Sequence, residues 1–148
     1  MAKNMNVKKE ILAVILTVFF ALAAHADDVC VRIEFTGIEI NGGDVHISIF
    51  TNEQDHKKDI PFTSFILKST DNIVVYELDL PGGECLIWGF QDANNNGKLD
   101  AGIFGIPKES IGLTNYSGKG VPGGFNKHKI PVNSTTNIVV VNFGHIKL

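Results

Sequence analysis

The strongest constraint in this sequence is an alternation of apolar and polar residues with a period of two. Val29, Val31, Ile33 and Phe35 alternate with mostly polar side chains. Because successive side chains of a strand point to opposite faces, this period indicates a strand with one buried face. Similar short runs recur along the chain, separated by turn sequences such as Asn-Gly-Gly-Asp at residues 41–44. The pattern predicts an all-β fold of about seven strands arranged as a two-sheet β-sandwich.

Residues 92–126 break this pattern. The stretch contains many glycines together with Pro107 and Pro122, and no apolar period of a helix. Such a composition favours long ordered loops, and long loops in a compact domain are often functional or held by a ligand. We therefore expect long Gly-rich loops before the last two strands.

The first 26 residues have the three parts of a secretory signal peptide. Lysines precede an almost entirely apolar run at residues 11–24, and Ala-His-Ala follows at residues 24–26. A run of about 14 residues is shorter than the ~20 that cross a bilayer, which disfavours the alternative of a transmembrane anchor. We predict cleavage before Asp27, export to the periplasm or the medium, and a single domain over residues 27–148 with no membrane span.

The charge of the exported chain disfavours nucleic acid as a partner. Removing residues 1–26 takes away three lysines and one glutamate, so 13 basic residues become 10 and 16 acidic residues become 15. The net charge changes from −3 to −5. With no basic stripe to follow a phosphate backbone, nucleic acid is not an expected partner.

The chain has two cysteines, Cys30 and Cys85. In an oxidising compartment an even pair indicates a disulfide. The alternation places both side chains on the non-core faces of their strands, where they can meet if the strands share a sheet. We predict a Cys30–Cys85 disulfide, with two separate free thiols as the alternative.

The segment with the clearest pattern of candidate metal ligands is the Asp/Asn loop, which we define as residues 92–100. Its side-chain oxygens fall at positions 1, 3, 5 and 9 of a calcium loop, with glycine at position 6 and a backbone carbonyl offered at position 7. In order, the predicted ligands are Asp92, Asn94, Asn96, Lys98 through its carbonyl, and Asp100.

The match to a calcium loop is incomplete, because position 12 is Ile103 in place of the usual bidentate glutamate. Asp100 itself, or Glu109 folding back, can supply the missing carboxylate. The alternative is a turn without metal, since Asp, Asn and Gly also satisfy their own backbone in loops. We predict calcium as the cofactor, with the bare turn left open.

Three sequence segments also resemble one bacterial family. They are Asp-Leu-Pro-Gly-Gly at residues 79–83, the strand and Asp/Asn loop at residues 88–100, and Phe-Gly-Ile-Pro-Lys-Glu at residues 104–109. Together they resemble the exported family known as domain of unknown function 2141 (DUF2141), over nearly the whole exported chain. The resemblance implies a small β-sandwich of the transthyretin-like kind and no assigned activity, and the predicted fold is a sandwich of the transthyretin or immunoglobulin type. Cys30 and Cys85 are not part of the family pattern.

The sequence lacks the motifs of common catalytic sites, including Gly-x-Ser-x-Gly, His-Glu-x-x-His and the phosphate-binding glycine loop. We therefore predict a non-catalytic exported protein with a structural calcium loop. One alternative is a module that binds a glycan or a protein through Tyr116 and Phe125 in the long loops. The other is an enzyme of unfamiliar type, with Asp92, Asp100 and Glu109 around a catalytic metal.

Overall fold

A computed structural model describes residues 27–147, so the predicted signal peptide lies outside the described residues. The described elements are β1 (Asp28–Thr36), β2 (Asp44–Phe50), α1 (Glu53–Lys58), β3 (Thr63–Leu67), β4 (Ile73–Pro81), β5 (Gly83–Asp92), a 3-10 turn (Ile103–Gly105), β6 (Ile111–Leu113), α2 (Phe125–His128), β7 (Ile130–Val132) and β8 (Ile138–Gly144). The all-β prediction is confirmed, with eight strands in this part of the chain.

The strands form one mixed sheet with the order β3-β2-β5-β6-β8-β1-β4, and β7 pairs with β5 beside this path. All neighbours are antiparallel except β1 and β8, which are parallel. The two ends of the path approach each other, because the ring of Phe65 on β3 stacks on that of Tyr76 on β4 with centroids 4.2 Å apart. The sheet is therefore nearly closed and barrel-like.

The predicted two-sheet sandwich is not confirmed, and the reason is β6. This three-residue strand pairs with β5 on one side and with β8 on the other. It joins the two halves of the sheet that would otherwise face each other as separate layers. Gly112 makes the junction possible, because a Cβ at this position would lie 2.4 Å from the ring of Phe143. A strand of three residues within the Gly-rich stretch is too short to show an apolar period in the sequence.

The main core lies on the inner face of the sheet. The predicted alternation of β1 is correct, since Val31, Ile33 and Phe35 are fully buried and Arg32 is exposed. The rest of this inner cluster consists of apolar side chains from the other strands, among them Val45, Ile47, Ile49, Leu80, Ile87 and Val141. Burial of this apolar surface is the main stabilising contribution to the fold.

A second, smaller core lies on the outer face of β5. Phe50, Leu86, Leu113 and Phe125 are buried there, with Trp88 and Tyr116 packed against them. The long segment between β6 and β7 covers this face, so β5 is buried on both sides over much of its length. A strand buried on both faces has a nearly continuous apolar sequence, which explains the run Cys-Leu-Ile-Trp-Gly-Phe at residues 85–90.

The structure contains no disulfide in the part of the chain that it describes. Cys30 is exposed on β1, whereas Cys85 is 1% exposed within the inner core. β1 and β5 are not neighbours in the sheet, and the two side chains lie on opposite faces. The predicted bridge is therefore wrong, because Cys85 lies on the core face of β5 and not on the non-core face that the alternation predicts. Burial raises the pKa of the Cys85 thiol to about 12, which suits an unreactive core side chain.

The sequence also predicts that the exported chain has no membrane span. Among residues 27–147 there is no helix with the length and apolar character needed to cross a bilayer.

Candidate metal site

The Asp/Asn loop begins where β5 ends, and the end of β5 is held against the turn between β1 and β2. Gln91 is buried and accepts a hydrogen bond from the Glu39 N–H (3.0 Å) while its amide donates to the Glu39 carbonyl (2.7 Å). Gly43 packs so closely that a Cβ there would lie 1.8 Å from the carbonyl oxygen of Asp92. These contacts fix the first residue of the loop on a rigid strand.

Asp92 is the most buried side chain of the loop, at 2% exposure. Its Oδ1 accepts the N–H of Asn96 (3.1 Å) and its Oδ2 accepts the N–H of Gly97 (2.7 Å). The Nε2 atom of His46 lies 3.6 Å from the same Oδ2. Gly97 has a φ of 76°, which allows the chain to curl back over the carboxylate. The sharp turn expected at position 6 is therefore present.

Asp100 faces the same interior from the other end of the loop. Its Oδ2 accepts hydrogen bonds from the amide groups of Asn94 (2.6 Å) and Asn96 (3.1 Å). The amide oxygens of these two asparagines accept backbone N–H groups, at Asn96 (3.1 Å) and Lys98 (2.8 Å). The structure thus brings Asp92, Asn94, Asn96 and Asp100 together, and Lys98 lies in the same curl with its side chain exposed.

Glu109 has a different place from the other predicted ligands. It is 5% exposed, its Oε1 accepts the N–H of Ala93 (3.0 Å), and its Oε2 accepts the N–H of Asp100 (3.0 Å). One carboxylate therefore joins the two ends of the loop from beneath. The sequence identified Glu109 as a candidate ligand but not as this brace, because the contact depends on how residues 101–108 fold back.

The donor set decides which metal the loop can accept. In the described part of the chain, no group of three or more His, Cys, Asp or Glu side chains is placed to hold a metal ion. A site here must therefore use asparagine amide oxygens and backbone carbonyls beside two carboxylates. Such hard oxygen ligands suit calcium, whereas zinc prefers cysteine and histidine. The donor types therefore suit calcium, and binding would require the Asn94 and Asn96 amides, whose N–H groups face Asp100 Oδ2 and whose oxygens accept backbone N–H groups, to turn their oxygens toward the ion.

Of the two residues predicted as a binding surface, Tyr116 and Phe125, only Tyr116 is partly exposed to solvent. Phe125 is 3% exposed in the outer core. Tyr116 is half-buried, packs edge-on against His128 and donates its hydroxyl to the Gly120 carbonyl. Both aromatic rings pack inward because they cover β5. The fully exposed aromatic side chain of these loops is Phe104, at 94% exposure.

The fold and the loop define an all-β domain with an Asp/Asn-rich loop at the end of a central strand. The chain belongs to the family described as uncharacterized protein conserved in bacteria (DUF2141), whose family model matches residues 33–139. The matched region runs from β1 into β8 and includes the whole Asp/Asn loop and Glu109. This confirms the family predicted from the sequence. No curated protein and no solved structure matches the chain.

Proposed function

We propose that this chain is an exported, non-catalytic protein whose Asp/Asn loop binds calcium as a structural ion. The observation that supports the proposal most directly is that Asp92, Asn94, Asn96 and Asp100 are joined in one hydrogen-bond network, in which Asn96 bonds to both carboxylates. Four oxygen-bearing side chains from a nine-residue segment surround one interior, as an oxygen-ligated cation requires.

The proposed ligands are the carboxylates of Asp92 and Asp100, the amide oxygens of Asn94 and Asn96, and the carbonyl of Lys98. Calcium takes about six to eight oxygens, so water completes the shell. Glu109 is engaged with backbone N–H groups and supports the loop from outside it. Because position 12 carries no bidentate carboxylate, we expect a dissociation constant of about 10⁻⁴ to 10⁻³ M, as in extracellular modules.

A structural role fits these contacts better than a catalytic one. Glu109 accepts two backbone N–H groups, so its carboxylate is committed to holding the chain. A catalytic metal needs an open coordination position in a cleft, with a carboxylate free to exchange protons. We therefore rank the metal-dependent enzyme with Asp92, Asp100 and Glu109 below the structural site.

Calcium titration of the chelator-treated protein by calorimetry tests the proposal. We expect one site per chain, with a dissociation constant in the range given above. Asp100→Asn removes one of two ligand charges while keeping an acceptor for the asparagine amides, and should weaken binding at least about tenfold. The matched control is Asp79→Asn, an exposed residue of β4 paired with Cys30. If the wild-type protein binds no calcium at millimolar concentration, the loop is an Asx-rich turn.

The exported location rests on the signal peptide predicted for residues 1–26. β1 begins at Asp28, so cleavage before Asp27 removes no part of the described sheet. Intact mass of the protein recovered from producing cells should correspond to a chain that begins at Asp27. A membrane-bound product with the mass of the full chain would instead support the anchor. The compartment predicted is the periplasm or the medium.

A second candidate function is recognition of a glycan or a protein by the long loops. The exposed side chains that support this function are not Tyr116 and Phe125 but those at the tip of the hairpin that follows the Asp/Asn loop. There Ile103 and Phe104 are 80% and 94% exposed. Contiguous exposed apolar surface marks interaction sites more often than scattered exposed side chains do.

A further inference from the structure

His128, the last residue of α2, is buried although its ring carries two polar atoms, with an exposed fraction of 1%. Its Nδ1 lies 3.1 Å from the Asn115 carbonyl oxygen, and its Nε2 lies 3.0 Å from the Gly123 backbone nitrogen. A carbonyl oxygen can only accept a hydrogen bond, and a backbone N–H can only donate one. Nδ1 therefore carries the ring proton, Nε2 is a bare acceptor, and the ring is neutral.

These two hydrogen bonds close a loop of the chain. The first partner follows β6 and the second precedes α2, so the ring joins the two ends of the segment between them. We call residues 116–122 the lid. Tyr116 of the lid packs against the outer core, and Pro122 lines a cavity of about 270 Å³ together with Trp88. The lid thus covers part of the outer face of β5.

The lid is also held at its middle, by backbone bonds that do not titrate. The Gly120 N–H donates to the Lys147 carbonyl (2.8 Å), and the Lys147 N–H donates to the Gly118 carbonyl (2.9 Å). The backbone of His128 is fixed in turn, because its carbonyl accepts the Thr114 hydroxyl (2.8 Å). The bond at Nε2 differs from these bonds because it requires an uncharged ring.

We propose that the neutral ring of His128 is an acid-sensitive latch that holds the end of the lid next to α2. A proton added at Nε2 would turn the acceptor into a donor that faces the Gly123 N–H. The charged ring would then be buried with an unpaired donor, which is costly. An imidazole exposed to solvent takes up a proton near about pH 6.5. The latch is therefore intact above this pH and is lost as the pH falls below it, because the released ring binds a proton that the closed site does not accommodate.

The groups around the ring do not offset the cost of a buried charge. Tyr116 contacts the ring edge-on with centroids 5.7 Å apart, and burial raises the pKa of its phenol, so it stays uncharged in acid. The neighbouring carboxylates are paired elsewhere, Glu84 of β5 with Lys129 (2.8 Å) and Glu53 of α1 with Lys57 (2.7 Å). The other titratable side chains on the elements around α2 and the lid are Cys85, His56, Lys119, Lys127, His145 and Lys147. None of these is an anion that would stabilise a charged ring.

Amide exchange measured residue by residue tests the latch, with chelator present because the latch does not depend on calcium. The protection factor of the Gly123 N–H, corrected for the intrinsic exchange rate, should fall about tenfold between about pH 7.5 and about pH 5.5, because the released ring binds a proton in this range. The Thr114 N–H donates to the Ile87 carbonyl of β5 (3.1 Å) and is the internal control. Its protection factor should change less than about twofold.

Two variants assign the effect to the ring. His128→Gln offers the Gly123 N–H an acceptor that does not titrate, so the tenfold fall should disappear. The matched control is His145→Gln, which replaces an exposed histidine and should keep the fall.

Nitrogen-15 NMR of the wild-type imidazole tests the same latch without a variant that must fold. At about pH 7.5 the spectrum should show a proton on Nδ1 and none on Nε2 of His128. A proton on Nε2 at that pH, a Gly123 protection factor that does not fall in acid, or a fall that persists in His128→Gln overturns the proposal.

Discussion

Replacing Glu109 with alanine should lower the free energy of unfolding by about 2–4 kcal/mol, because hydrogen bonds from backbone donors to a charged carboxylate contribute about 1.5–3 kcal/mol each. Glu109 accepts two such donors, the N–H groups of Ala93 and Asp100, at 3.0 Å each. Both bonds are lost together, and with them the closure of the Asp/Asn loop. Urea unfolding monitored by Trp88 fluorescence measures the change.

Glu109→Gln should fall between the wild type and Glu109→Ala, since the amide keeps one acceptor oxygen and faces the second N–H with a donor. The control is Glu77→Ala, an exposed glutamate whose ion pair with Arg32 lies on the surface. Surface pairs of this kind contribute little, so the unfolding midpoint should not change measurably. Equal losses for Glu109→Ala and Glu77→Ala would show that Glu109 does not brace the loop.

Calcium should raise the melting temperature of the chelator-treated protein by about 10 °C once its concentration is about one hundred times the dissociation constant. At that ratio, selective binding to the folded state adds about 2.7 kcal/mol to the free energy of unfolding. Magnesium should give a smaller shift, because it requires a tighter octahedral shell than an asparagine-rich loop offers. Differential scanning calorimetry measures both shifts.

Asp100→Asn should remove most of the calcium shift while keeping the melting temperature of the metal-free protein nearly unchanged. Asp92 is less suitable for this test, because its buried carboxylate holds the N–H groups of Asn96 and Gly97 and its loss would weaken the metal-free fold. Asp79→Asn should retain the full shift. A calcium shift that persists in Asp100→Asn would place the ion elsewhere in the protein.

The strands that the sequence predicts best are those with one wet face. β1 shows the expected alternation because its inner side chains face the core and its outer ones face water. The period fails for β5, which is buried on both faces, so the alternation predicts the wrong face for Cys85. It also fails for β6, whose three residues are too few to show a period. The single nearly closed sheet could not be predicted without that strand.

For the candidate site, spacing predicted which side chains share the loop, because the curl between Asp92 and Asp100 is a local property of the chain. Residue spacing does not predict contacts between segments that are distant in the sequence. Glu109 braces the loop only because residues 101–108 form a hairpin, and Phe125 is buried only because its segment folds over β5. The glycines and aromatic residues of that segment predict loops and contacts. Residue spacing does not distinguish an aromatic ring that packs over the sheet from one that is exposed to solvent.

The parallel pairing of β1 with β8 has a consequence for the order in which the protein folds. These strands are the first and last of the described chain, and they meet across Thr36 and Asn142, which are 106 positions apart. β1 lies between β8 and β4 in the sheet, so its edge stays open until the last strand arrives. Contacts between such distant residues form slowly, because a long loop must close first. Under the proposed export, a chain that crosses the membrane from its N-terminus would complete this sheet only after β8 has emerged.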